Sequence, residues 1–84
     1  MEVEVRLFAN LRQRLPDAPR GRGRLTLPDG ASLQALLDVL AIPPEQAQMV
    51  LVNGEKAPRD RAAREAIQLT GGDSIAIFPP LAGG

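Results

Sequence analysis

Only one stretch of the chain has the apolar spacing of a helix able to organise a core. Leu33, Leu36, Leu37 and Leu40 stand at i, i+3, i+4 and i+7, which lines them along a single helical face. Ser32 precedes the stripe as an N-cap, its side-chain oxygen placed to accept from a free amide of the first turn. Asp38 falls on the opposite side, and Pro43-Pro44 ends the helix by residue 42. The other apolar segments have period two, so this helix must find a sheet to cover.

Those segments can be placed in order. In residues 2–8, Val3, Val5 and Leu7 alternate with Glu2, Glu4 and Arg6, the pattern of a half-buried strand. Asn10 to Leu15 has room for a helical turn before Pro16, and Asp17 to Gly23 is loop by composition. Arg24-Leu25-Thr26-Leu27 alternates again and pairs with the first strand. Met49-Val50-Leu51-Val52 runs into Asn53-Gly54, the strongest two-residue hairpin signal, and the return strand Glu55-Lys56-Ala57 stops at Pro58. Residues 59–66 have the composition of a short helix, with Asp60 and Arg64 spaced for an i, i+4 ion pair. Gly71-Gly72-Asp73 then turns the chain into a last strand, Ser74 to Phe78.

Strand, strand, helix, strand, short strand, short helix, strand is the order of an α+β roll, and the β-grasp is its commonest small form. The expectation is a mixed sheet of four to five strands with one main helix packed across it. Residues 1–78 form this domain, and residues 79–84 form an extended C-terminal tail. With 84 residues there is space for one core and no more.

Side-chain chemistry is scarce in this chain. There is no Cys and no His, the only Lys is Lys56, and the only hydroxyls are Ser32, Ser74, Thr26 and Thr70. That removes thiolate and imidazole catalysis, the usual zinc ligands and any disulfide. The expectation is therefore a non-enzyme that binds no metal or cofactor of its own. The start Met-Glu-Val-Glu lacks a basic and apolar leader, and no apolar run approaches the roughly 20 residues of a membrane span. A cytoplasmic protein with no membrane partner follows as the expectation.

Ten basic residues balance ten acidic ones, which argues against nucleic acid as a partner. The balance is uneven. Residues 1–24 carry six Arg against three acids, including Arg20, Arg22 and Arg24 in Arg-Gly-Arg-Gly-Arg. Alternating arginines can grip phosphate or an acidic partner. The plainer reading is a solvated loop entering an edge strand, where charge discourages pairing with other chains.

The last eleven residues carry no charged side chain and end Phe78-Pro79-Pro80-Leu81-Ala82-Gly83-Gly84. Pro79 and Pro80 have no amide N–H, so the sheet ladder stops there and the chain stays stiff and extended. Six residues reach about 20 Å at ~3.3–3.6 Å each, far enough to enter a partner's pocket. Gly83 and Gly84 can thread a channel that excludes any side chain. Beyond them lies the Gly84 α-carboxylate, ionised at neutral pH. Such a carboxylate can attack the α-phosphorus of ATP, and a sulfur or nitrogen nucleophile can then displace AMP. Phe78 and Phe8, the only aromatics, are both out of phase with the core-facing residues of their strands. Each reads as an interface anchor or as a ring covered by local bending.

Gly72 to Gly84 closely resembles the ending of the MoaD family, the sulfur-carrying small subunit of molybdopterin synthase. Val5-Arg6-Leu7-Phe8-Ala9-Asn10-Leu11-Arg12, Leu27 to Leu33 and Val52-Asn53-Gly54-Glu55 are similar to that family in the same order. Phe-Pro-Pro before Gly-Gly is the most specific part, because Gly-Gly alone also ends ubiquitin and the thiamine-pathway carrier ThiS. The resemblance implies that a ubiquitin-activating-like adenylyltransferase, using ATP and Mg²⁺, activates Gly84. A sulfur donor protein then makes a thiocarboxylate, which donates sulfur inside a complex of two small and two large subunits. It further implies that Phe78, Pro79, Pro80 and Leu81 contact partners, Ala82 and Gly83 thread the channel, and Gly84 carries the sulfur. Leu81 stands where Val is common, and Pro58 to Thr70 is longer and richer in Ala and Arg than the family's short polar loop. Sulfur delivery to a thiamine precursor or tRNA, and isopeptide modification of proteins through Gly84, are chemically open to the same tail.

Overall fold

The structure is a computed structural model that describes residues 1–14 and 21–80. Its strands are β1 (Glu2–Leu7), β2 (Arg22–Thr26), β3 (Met49–Val52), β4 (Glu55–Lys56) and β5 (Ser74–Phe78). Two helices, α1 (Leu33–Val39) and α2 (Arg61–Ala66), and a 3-10 turn over Ala9–Arg14 complete the described elements. The sheet order is β2-β1-β5-β3-β4, with β1 and β5 parallel and the other neighbours antiparallel. This is the β-grasp fold, and β5, the strand that leads into the tail, is its central strand.

Alternation decides which face is covered. Val3, Val5 and Leu7 of β1, Val50 of β3, and Ile75 and Ile77 of β5 point to one side and are buried with Leu33, Leu36, Leu37 and Leu40. Full burial of each such side chain is worth about 1.5–3 kcal/mol, which makes the leucine stripe the main clamp on the sheet. Ser32 caps α1 as expected, its Oγ accepting from the Ala35 amide at 3.0 Å.

The helix ends before residue 42, as expected. Its last helical residue is Val39, and Ala41 takes a left-handed conformation with φ of 56°. The Ala41 amide donates to the Asp38 carbonyl and the Ile42 amide to the Leu37 carbonyl, both at 3.0 Å. This double closure satisfies terminal carbonyls and folds buried Ile42 back under the helix before Pro43.

Two expectations change in the second strand. β2 starts at Arg22 rather than Arg24, because the Leu7 amide donates to the Gly21 carbonyl at 2.6 Å and the ladder begins there. Leu27 is buried just beyond the strand, while Leu25 is only half-buried at the core's margin. The hairpin at Asn53-Gly54 forms as expected, with φ of 53° and 85°, the left-handed pair a tight two-residue turn requires.

Asp60 and Arg64 do not make the expected surface pair. Asp60 caps α2 by accepting from the Ala63 amide at 2.9 Å. Arg64 turns inward and is 2% exposed. Its Nε donates to the Pro58 carbonyl at 2.8 Å and a terminal nitrogen to the Ala47 carbonyl at 3.1 Å. Burial, and next the positive charge of Arg59, lower its pKa from the ordinary arginine value, while Asp60 opposes that shift. The guanidinium ties the Pro43–Ala47 turn to the start of α2. Arg61 meanwhile links α2 to α1 through Asp38 at 3.5 Å.

Candidate functional site at the end of the central strand

β5 ends at Phe78, and Pro79-Pro80 carries the chain off the sheet. Ile75 and Ile77 face the core, so Ala76 and Phe78 emerge on the uncovered face. Phe8 lies just past the end of β1, where its amide donates to the Ile77 carbonyl at 3.3 Å. Parallel pairing of β1 with β5 brings the two residues level. Their rings stack with centroids 4.2 Å apart and planes within 10°. Neither sheet bending nor a loop is needed to explain the two off-phase aromatics, because each ring covers one face of the other. Phe8 nevertheless remains 37% exposed.

On the same face Met49 of β3 stands opposite Phe78, and Leu51 stands opposite Ala76. The tail therefore leaves from a strip of apolar side chains, Phe8, Phe78 and Met49, at one end of the sheet. Nothing in that strip can act as an acid, base or nucleophile. Among the described residues, no cluster of three or more His, Cys, Asp or Glu could hold a metal ion.

Phe78, Pro79 and Pro80 are thus brought to the root of the tail, as their order in the sequence suggests. Leu81, Ala82, Gly83 and Gly84 lie outside the described residues. Phe8 is the partner whose pairing with Phe78 the sequence alone did not show. The available signal was its shared phase with Glu4 and Arg6, which put it on the uncovered face.

A five-stranded mixed sheet with one helix packed across it and the last strand at its centre is the architecture of the ubiquitin-like proteins. The chain belongs to the ThiS family, whose model matches residues 5–84. No curated protein matches it. Among solved structures it is similar to SAMP1, small archaeal modifier protein 1, from Haloferax volcanii. That likeness has 26% identity over 100% of both chains and a TM-score of 0.68. It shares the fold of a putative molybdopterin converting factor subunit 1 from Pyrococcus furiosus, at 23% identity over 96% of this chain and 99% of that one, TM-score 0.68. It also shares the fold in the complex of subunits 1 and 2 of the molybdopterin-converting factor from Helicobacter pylori, at 21% identity over 100% of both chains, TM-score 0.60. The family comprises ThiS- and MoaD-like sulfur carriers and ubiquitin-like modifiers. Among the described residues no helix is long and apolar enough to cross a membrane.

Proposed function

We propose that this chain is the sulfur carrier of molybdopterin synthesis, a non-catalytic subunit whose reactive group is the Gly84 carboxylate. The observation that carries this reading is the Phe78-Pro79-Pro80 exit at the end of the central strand, set on the Phe8–Phe78 stack. In this cycle an adenylyltransferase couples the carboxylate to AMP with loss of pyrophosphate. Hydrosulfide supplied by a donor attacks the acyl carbon, the acyl–phosphate bond breaks with AMP as the leaving group, and Gly84 becomes a thiocarboxylate. The tail then enters the large subunit of molybdopterin synthase, where its sulfur attacks the pterin precursor. Phe78, Pro79, Pro80 and Leu81 seat the carrier on its partners, while Ala82 and Gly83 occupy the channel. The chain itself supplies reach, a narrow end and a docking strip.

The likeness to a small archaeal modifier protein favours a second reading, in which an amine takes the activated Gly84 and an isopeptide bond forms. Intact-mass measurement of the protein taken from cells separates the two. A form with one terminal oxygen replaced by sulfur supports the carrier reading, and target-conjugated protein alone supports the modifier. The pathway is tested by mixing thiocarboxylated protein with a cognate large subunit and precursor. Product should appear with the full chain and not after deletion of Gly84. Transfer retained without Gly84 would refute the role given to the terminus.

A further inference from the structure

Arginines beside the tail's exit form a second feature that the apolar strip does not account for. Arg6 of β1 stands directly opposite Arg22 of β2, while the next pair on the same face is Glu4 opposite Arg24. Arg24 also reaches Glu2 at 3.3 Å. One end of the β1–β2 ladder is thus charge-matched, and the end nearest the tail is like-charged. Like charges directly opposite on a sheet are unfavourable, so this pair weakens the fold.

Arg12 completes the group. Its Nε donates to the Ala9 carbonyl at 3.1 Å, and its stem lies over Gly21 so closely that a Cβ there would come within 2.5 Å of the Arg12 Cγ. Arg6, Arg12 and Arg22, with Leu7, Phe8 and Ala9, line one shallow hollow that opens beside the exposed ring of Phe8. Among the described residues, the four ion pairs involve none of these three arginines. Across the sheet, the row that starts at Arg22 and Arg6 continues through Ala76 and Leu51 and ends at Lys56. The row next to the apolar strip thus has a cation at each of its ends.

We infer that Arg6, Arg12 and Arg22 form a docking site for an acidic surface on the adenylyltransferase that activates Gly84. The inference rests on the proposed activation of the terminus only in naming that protein; the anionic complement follows from the arginines themselves. Guanidinium forks pair with carboxylates in a fixed, two-pronged geometry, and unpaired charges at an interface rim speed encounter and select partners. The hollow adjoins Phe8, so a partner seated on the ring stack would bring its rim over the arginines. Its complementary surface is an apolar patch edged by Asp or Glu.

The full chain is titrated at low ionic strength with a hexaglutamate peptide, with backbone and arginine side-chain resonances observed by NMR. Shifts should concentrate at Arg6, Arg12, Arg22 and Phe8, and half-saturation should weaken at least about tenfold in Arg6→Gln/Arg22→Gln. That variant relieves the like-charge pair and keeps the fold. Equal shifts at Arg59 and Arg61 would overturn the site. So would pyrophosphate saturating the same residues at a lower concentration than the peptide, which would assign the hollow to a small phosphate ligand. With a ubiquitin-activating-like adenylyltransferase, the same variant should raise KM for the chain, leave kcat unchanged and flatten the dependence on salt. An unchanged KM and salt slope would overturn the inference. If the wild-type chain is not adenylated at all, the proposed function fails, and the peptide titration still decides the site.

Discussion

Phe8 and Phe78 hold each other in place: their rings lie nearly parallel, 4.2 Å apart, one at the end of β1 and the other where the tail begins. The contact joins parallel neighbours at the one end of the sheet where backbone pairing stops. Phe78→Ala and Phe8→Ala should therefore be coupled in stability. A double-mutant cycle read by urea unfolding should return about 0.5–1.5 kcal/mol of interaction energy. Additive single effects would show that the stack contributes nothing beyond its buried area.

Arg64 tests whether a buried cation without a carboxylate partner is structural. Arg64→Met keeps most of the stem's packing but leaves the Pro58 and Ala47 carbonyls without their donor. Hydrogen bonds from a charged group are worth about 1.5–3 kcal/mol, so a loss of ~3 kcal/mol is expected from urea midpoints. Arg64→Lys should recover less than half, since an ammonium cannot reach two carbonyls with a rigid fork.

Ser32→Ala should cost about 1 kcal/mol, because the Ala35 amide loses its acceptor at the start of the helix that carries the leucine stripe. Hydrogen exchange at the Ala35 amide should accelerate more than at Leu36, whose amide keeps the Ser32 carbonyl at 3.2 Å.

Gly21 and Gly54 both have positive φ, at 73° and 85°, and only one of them is crowded. A Cβ on Gly21 would collide with the Leu7 carbonyl oxygen, whereas nothing lies within 4 Å of a Cβ on Gly54. Alanine at either position meets the same backbone penalty, so Gly21→Ala should be the more destabilising by about 1–3 kcal/mol. Thermal unfolding of the two variants under one buffer checks this.

Sequence legibility followed the range over which each feature is encoded. The capped leucine helix, the Asn53-Gly54 hairpin and the first and last strands are written in neighbouring residues, and they appear where the periodicities put them. The inward turn of Arg64 is not local. It depends on a carbonyl at Ala47, seventeen positions away in the chain, and a charged residue in an Ala- and Arg-rich segment gives no sign of such an acceptor. Phe8 and Phe78 were each visible as out of phase, but their meeting required the parallel pairing of the first and last strands. The arginine hollow was half visible: composition showed the basic excess, while only register puts Arg22 against Arg6. The early start of β2 has the same origin, in the bond between Leu7 and Gly21.

The parallel pairing of β1 with β5 also determines how the molecule bears force. The first strand enters at one end of the sheet and the last leaves at the other, so tension between them slides the two strands past each other. Every hydrogen bond of that ladder is loaded together instead of opening one by one. β3 grips β5 along its other edge. A pull on the C-terminal end of β5 is thus borne by a strand paired along both of its edges.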